Sequence, residues 1–162
     1  MSRDHREELI AALGLESRRY QNAQDLFDDI AVARLGINRT DGRCLDILER
    51  HGRMTAGELA RESGLSSGAL TTLLDRLESR GYVRRVRDTE DRRRIFVEMT
   101  EEARRRAWEI WGPIGEAVPA LFDPYTDAEL ETILRFLRFS IAFLAEHTER
   151  IRGLPAPDRK AP

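Results

Sequence analysis

The stretch Thr55–Thr100, TAGELARESGLSSGALTTLLDRLESRGYVRRVRDTEDRRRIFVEMT, decides the fold of this 162-residue chain. Thr55 followed three residues later by Glu58 is a capping box, in which each side chain satisfies the other residue's free amide, so a helix opens there and Ser63-Gly64 stops it. A second helix begins at Ser66. Leu70, Leu73, Leu74 and Leu77 recur at i, i+3, i+4 and i+7 and form one apolar face, while Ser67, Gly68, Thr71, Thr72, Asp75, Arg76 and Ser79 point elsewhere. Gly81 closes this helix, and the period then drops to two. Tyr82, Arg84 and Val86 alternate with Val83, Arg85 and Arg87, and Ile95, Val97 and Met99 alternate with Phe96 and Glu98, which predicts the two arms of a β-hairpin. Between them Asp88-Thr89-Glu90-Asp91-Arg92-Arg93-Arg94 is too polar for a core and too long for a two-residue turn, so it is expected to project as a wing.

The outward face of the second helix carries small polar groups in its N-terminal half in place of the Glu and Lys of an ordinary solvated face, so another surface can approach it closely. Two helices joined by a short Gly-containing turn and followed by a basic hairpin make a winged helix-turn-helix. Such a lobe places its second helix in the major groove of DNA and its wing in a neighbouring minor groove. The sequence here closely resembles the MarR family of bacterial transcription regulators. The resemblance is carried by Leu59-Ala60, Gly64-Leu65-Ser66, Asp75-Arg76-Leu77-Glu78, Arg80-Gly81-Tyr82-Val83, and Asp88 through Arg93 leading to Thr100. After the wing threonine many relatives continue with Lys-Gly, where this chain has Glu101-Glu102-Ala103.

The resemblance implies a homodimer that binds a pseudo-palindromic operator in double-stranded DNA, usually represses, and lets go when a small ligand changes the spacing of its recognition helices. Ser66, Ser67, Gly68, Thr71 and Thr72 are expected against base edges or nearby phosphates, and Arg76 on the backbone. Arg92, Arg93 and Arg94 are expected at the wing, with Arg93 in the minor groove and its guanidinium held extended by Asp91, as in the family's Asp-x-Arg wing motif. Because the family binds small phenolic or carboxylated aromatics between its dimer helices and its DNA lobe, Tyr20, Phe27, Trp108 and Trp111 are candidates for an aromatic pocket. The two tryptophans are read first as core. The rival reading is a winged-helix protein-interaction module whose basic surface binds an acidic protein.

Outside the lobe the pattern is helical, so the fold class is mainly α with a small β wing: residues 37–100 as the DNA-binding lobe, and residues 1–36 and 101–153 as a helical dimerisation region. From Arg3 to Ala33 an apolar stripe runs through Leu9, Leu13, Tyr20, Phe27 and Ile30, with a possible break at Gly14 and a stop at Gly36. Thr40 or Asp41 can cap the next helix, which aligns Cys44, Leu45, Ile47 and Leu48 on one face and ends at His51-Gly52. Thr100 caps the helix after the wing, and Gly112-Pro113 is expected to kink it. Thr126 and Glu129 form a further capping box. The last helix has two apolar seams, Leu130, Leu134, Leu137, Ile141, Leu144 and Ile151 on one, and Phe136, Phe139 and Phe143 beside it. Two seams imply two partners, the chain's own lobe and a second copy. Leu154–Pro162, rich in proline, is expected to be disordered.

The formal net charge of −2 taken alone argues against a DNA partner, but Arg76, Arg80, Arg84, Arg85, Arg87 and Arg92 to Arg94 crowd one segment, so distribution outweighs the sum. With Cys44 the single cysteine, no internal disulfide can form, and a reducing cytoplasm is the expected compartment. One branch of the family senses hydroperoxides through a cysteine in its first helix. Cys44 lies on the apolar stripe of the second, which predicts a buried, inert thiol. The three histidines are scattered, which predicts no metal. No apolar run approaches the ~20 residues needed to span a bilayer, and no nucleophile elbow or phosphate-cradling loop suggests a cofactor or an enzyme.

Overall fold

Each helix of the lobe opens at a side-chain cap and closes at or beside a glycine of positive φ, and the elements follow from that punctuation. The computed structural model describes residues 3–91 and 93–155. Its elements are α1 (Arg3–Arg34), α2 (Arg39–His51), β1 (Arg53–Thr55), α3 (Ala56–Ser63), α4 (Ser67–Ser79), β2 (Val83–Arg87), β3 (Ile95–Met99), α5 (Glu101–Phe122) and α6 (Asp127–Arg152). The Thr55 amide donates to Glu58 at 2.8 Å, and Thr55 Oγ1 accepts the Glu58 amide at 3.3 Å. Thr126 and Glu129 repeat this arrangement at the start of α6. Gly52 and Gly64 end α2 and α3 at φ of 76° and 73°, where a Cβ would be strained.

Three details depart from expectation. Asn38 caps α2, accepting the Asp41 amide at 2.9 Å, and Asp41 is the third residue of that box instead of its cap. The short strand β1 pairs with β3 to give a three-stranded antiparallel sheet in the order β1-β3-β2, with Met54 opposite Val97 and Val86 opposite Phe96. Gly14 does not break α1, which runs unbroken for 32 residues. Helix α5 is one element from Glu101 to Phe122, with Gly112-Pro113 inside it.

Chain contacts divide the protein into two compact units, residues 1–113 and 114–162. The core of the first is built where the apolar stripes meet: Cys44, Leu45, Ile47 and Leu48 of α2, Leu59 of α3, Leu70, Leu73, Leu74 and Leu77 of α4, then Val83, Val97 and Met99 from the sheet. Tyr82 locks α1 to this core, its hydroxyl donating to the Leu35 carbonyl at 2.5 Å. Thr100 joins the sheet to α5: its hydroxyl donates to the Gly81 carbonyl at 2.6 Å and accepts the Ala103 amide at 3.1 Å, the expected cap. Gly42 sits where α1 meets α2, since a Cβ there would lie 2.7 Å from Val32.

The long helices are different. Among the described residues of α1 only Ala31 and Val32 are buried, and no residue of α6 is. No residue of either expected seam of α6 is buried in the single chain. Of the expected tail, residues 156–162 lie outside the described residues.

Candidate nucleic-acid interface

The candidate surface starts at the N-terminus of α4. Ser66 is its cap and accepts the Ala69 amide at 3.3 Å, while Ser67, Gly68, Thr71 and Thr72 are all exposed. A Cβ on Gly68 would meet nothing within 4 Å, so no packing demand of the fold calls for glycine there. The apolar face of the same helix is sealed, with Leu70, Leu73, Leu74 and Leu77 all at 3% exposure or less. Burial of one face therefore presents the other.

Arg76 is placed differently from a free phosphate ligand. Its Nη2 lies 2.5 Å from Asp41 Oδ1 and its Nε 3.3 Å from Oδ2, so the guanidinium is held by a carboxylate that is itself 1% exposed. That carboxylate raises the Arg76 pKa above its ordinary value, first through the side-chain hydrogen bond. The remaining edge of the guanidinium stays open, with 37% of the side chain accessible. Other members of the arginine cluster are also engaged: Arg85 binds Glu78 and, at 2.6 Å, Asp75, Arg84 binds Glu98 at 2.6 Å, and Arg80 donates to the Gly36 carbonyl.

The wing is shaped by two aspartates acting on backbone. Asp88 accepts the Glu90 amide at 3.0 Å, a bond that leads the causes lowering its pKa, followed by the charges of Arg53 and Arg94. Asp91 accepts the Arg93 amide at 3.0 Å through its side chain and the Arg94 amide at 2.8 Å through its carbonyl. Asp91 was expected to hold the Arg93 guanidinium. Its carboxylate instead holds the Arg93 backbone amide, the local bond an aspartate makes most readily. Among the described residues no carboxylate pairs with Arg93, which is exposed. Arg94 lies over the Phe96 ring at 5.0 Å and Arg53 lies over it at 4.7 Å. Arg53 is a candidate that the sequence did not reveal, because it comes to the wing on a strand too short to show a period. Arg92 lies outside the described residues.

A second concavity lies between α1, α2 and the start of α5. It is a cleft of about 1130 Å³ whose lining includes Val32, Ile37, Arg43, Met99, Trp108 and Trp111. Trp108 is 64% exposed and Trp111 is half-buried, so neither is core as first read. Gly112 is required by this arrangement, for a Cβ there would lie 2.7 Å from the Trp108 ring. Phe27 meets Trp111 edge to face at 6.4 Å but does not line the cleft, and neither does Tyr20, which projects outward at 66% exposure. Cys44 is fully buried against α3, and burial leads the causes that raise its thiol pKa.

The MarR family model matches residues 37–95, the span from the α2 cap through the wing. YcgE of Bacillus subtilis (strain 168), described as an uncharacterised HTH-type transcriptional regulator, is 39% identical over 127 residues, covering 78% of this chain and 82% of its own length. The chain belongs to the MarR family. It is a DNA-binding transcriptional regulator, and the protein-interaction alternative gives way to that reading. YetL of the same organism, named an HTH-type transcriptional repressor, is 32% identical over 85 residues, 52% of this chain and 51% of YetL. A MepR variant of S. aureus, solved bound to an oligodeoxyribonucleotide, shares the fold at a TM-score of 0.57 and 19% identity, covering 82% of this chain and 97% of that one. The MarR match spans both parts of the candidate surface, α4 and the wing turn.

Proposed function

We propose that the protein is a homodimeric repressor acting in the cytoplasm on a pseudo-palindromic operator, with α4 in the major groove, the wing in the adjacent minor groove, and release driven by a small aromatic carboxylate or phenol. The observation that carries the DNA contact is the pairing of an unobstructed face of small residues on α4 with a wing arginine, Arg93, that no described carboxylate neutralises. The named properties of two relatives point the same way, repression for YetL and an oligodeoxyribonucleotide partner for MepR.

Dimerisation is supported by α6, where Leu134, Leu137, Phe139, Ile141, Phe143 and Leu144 are each at least 46% exposed. An apolar surface so extensive on a monomer marks a buried interface in the assembly. For the ligand, the support is a cleft whose aromatic and apolar walls also carry Arg39, Arg43 and Arg104 beside Asp28, Asp46 and Glu49; Arg39 and Arg104 are held by carboxylates, which leaves Arg43 to meet a flat ring bearing an anionic group. Residues 1–36 and 101–153 are thus assigned to dimerisation, and residues 37–100 to DNA.

An electrophoretic shift with the DNA upstream of the protein's own gene tests the central claim, with a random duplex as control. A specific shift is expected, and its absence for every upstream fragment rules out the operator reading. Sedimentation should give twice the chain mass, and Leu137→Glu should lower it. Titration of a panel of aromatic carboxylates should quench the Trp108 and Trp111 fluorescence and weaken the shift together.

A further inference from the structure

Resting on the DNA-binding reading above, we propose that α4 reads thymine through the methyl groups of Thr71 and Thr72, and that neither residue donates a hydrogen bond to a base. The Thr71 hydroxyl lies 2.9 Å from the carbonyl oxygen of Ser67, and the Thr72 hydroxyl 3.2 Å from that of Gly68. A carbonyl oxygen can only accept, so each hydroxyl gives its single hydrogen to the backbone of its own helix. Both side chains are exposed, and what they present outward is a γ-methyl and oxygen lone pairs.

The neighbours place their donors elsewhere on the helix. Gly68 has no side chain, Asp75 only accepts and is held by Arg85 at 2.6 Å, and Arg76 gives one edge to Asp41 at 2.5 Å and keeps an accessible edge one turn beyond Thr72. Ser66 accepts the Ala69 amide and, like Ser67, keeps its own hydroxyl hydrogen a turn or more before Thr71 and Thr72. In the major groove guanine shows two acceptors, N7 and O6, whereas an A·T pair shows the thymine C5-methyl and the adenine N6 donor. At Thr71 and Thr72 themselves, methyls and lone pairs have nothing to give the N7 and O6 of guanine. They match the methyl of thymine by apolar contact, and because the lone pairs accept as readily from the amino group of cytosine as from that of adenine, the methyl is what discriminates. The base pairs under Thr71 and Thr72 are therefore A·T, chosen by shape and apolar burial in place of the bidentate hydrogen bonding that Arg, Asn or Gln would supply.

The test uses the full-length protein to enrich duplexes from a random pool. The enriched duplex is then resynthesised with deoxyuridine in place of each half-site thymine in turn, which removes the C5-methyl alone. At least one thymine per half-site should weaken binding about fourfold on replacement, and roughly 15-fold when both half-sites are changed, the transfer value of one buried methyl each. The paired variant Thr71→Val with Thr72→Val keeps a methyl in place without a hydroxyl and should retain this sensitivity. Thr71→Ser with Thr72→Ser removes both methyls and should bind thymine and deoxyuridine duplexes alike. Sensitivity absent at every half-site thymine, or undiminished in the serine variant, overturns the proposal while operator binding itself stands. A pool from which no duplex is enriched overturns the DNA-contact reading and this proposal with it.

Discussion

Removing Arg76 should damage the fold more than removing its partner, and the structure says by how much. The Asp41 carboxylate is 1% exposed and receives three donors, Arg76 Nη2 at 2.5 Å, Arg76 Nε at 3.3 Å and the Asn38 amide at 3.3 Å. Arg76→Ala leaves it with the one long backbone bond. Breaking a fully buried pair from one side costs about 3–5 kcal/mol. Here the arginine end is 37% accessible, so water can enter the vacated position, and the expected cost falls to about 2 kcal/mol. Asp41→Ala removes the buried charge itself and lets the guanidinium turn to water. Its cost is then limited to the lost capping bonds, about 1 kcal/mol. The double variant should be no worse than Arg76→Ala alone, because its second change removes the stranded charge. Urea titration at one fixed protein concentration measures this, and with a slope of about 2 kcal/mol/M the Arg76→Ala midpoint should drop by about 1 M. Additive losses in the double variant, or an Asp41→Ala loss larger than that of Arg76→Ala, would refute the claim that the pair couples α2 to α4.

Arg93→Ala should weaken operator and random duplexes alike and flatten the dependence of log affinity on log salt by about one unit per lost contact, roughly two per dimer; an unchanged slope in a salt titration removes the wing from the interface. Gly68→Ala should raise the melting temperature slightly, since Ala is favoured over Gly by up to about 1 kcal/mol in a helix and the added Cβ meets nothing within 4 Å, yet it should weaken operator binding by crowding the DNA. Equal or tighter binding in that variant would mean the backbone does not approach DNA at Gly68. Glu102 is held down from its usual 4.5 to about 2, first by the side-chain hydrogen bond from Arg105 and then by that from Arg106. A depressed folded pKa stabilises above the unfolded value and the benefit is lost as pH falls, here between pH 4.5 and about 2, so Glu102→Gln should make the acid limb of the stability profile shallower over that window. Parallel limbs in acid melts would count against it.

What could be read from sequence was whatever local chemistry controls. Thr55 with Glu58 and Thr126 with Glu129 are boxes closed within one turn, and the Leu70 to Leu77 stripe needs only the helical period, so these elements came out where expected. The failures need distant partners or weak signals. Asp41 looks like a cap from sequence because nothing local shows that it is held by Arg76, 35 residues on. Three residues of β1 are too few to show alternation, and without β1 there was no reason to bring Arg53 to Phe96. Phe96 itself is on the strand face opposite Val97, yet both are buried, because the guanidinium planes of Arg53 and Arg94 cover the ring. Gly14 was given too much weight, since an isolated helical glycine costs only about 1 kcal/mol and ends nothing without a competing turn. The exposed Trp108 was mistaken for core because indoles usually are, while the cleft it lines is assembled from three separate helices.

The internal engagement of Arg76, Arg80, Arg84 and Arg85 has a consequence at the scale of the chromosome. A cell offers a regulator millions of irrelevant sites, and the fraction of molecules found on the operator depends on the ratio of specific to random affinity, multiplied by how rare the operator is. Arg76, Arg84 and Arg85, whose charge is already balanced by carboxylates, displace few counterions from random duplex, so the affinity that the bulk genome can exert stays low. For the proposed operator-binding dimer, few copies would then be stored on irrelevant DNA, and a small number would suffice to keep an operator occupied.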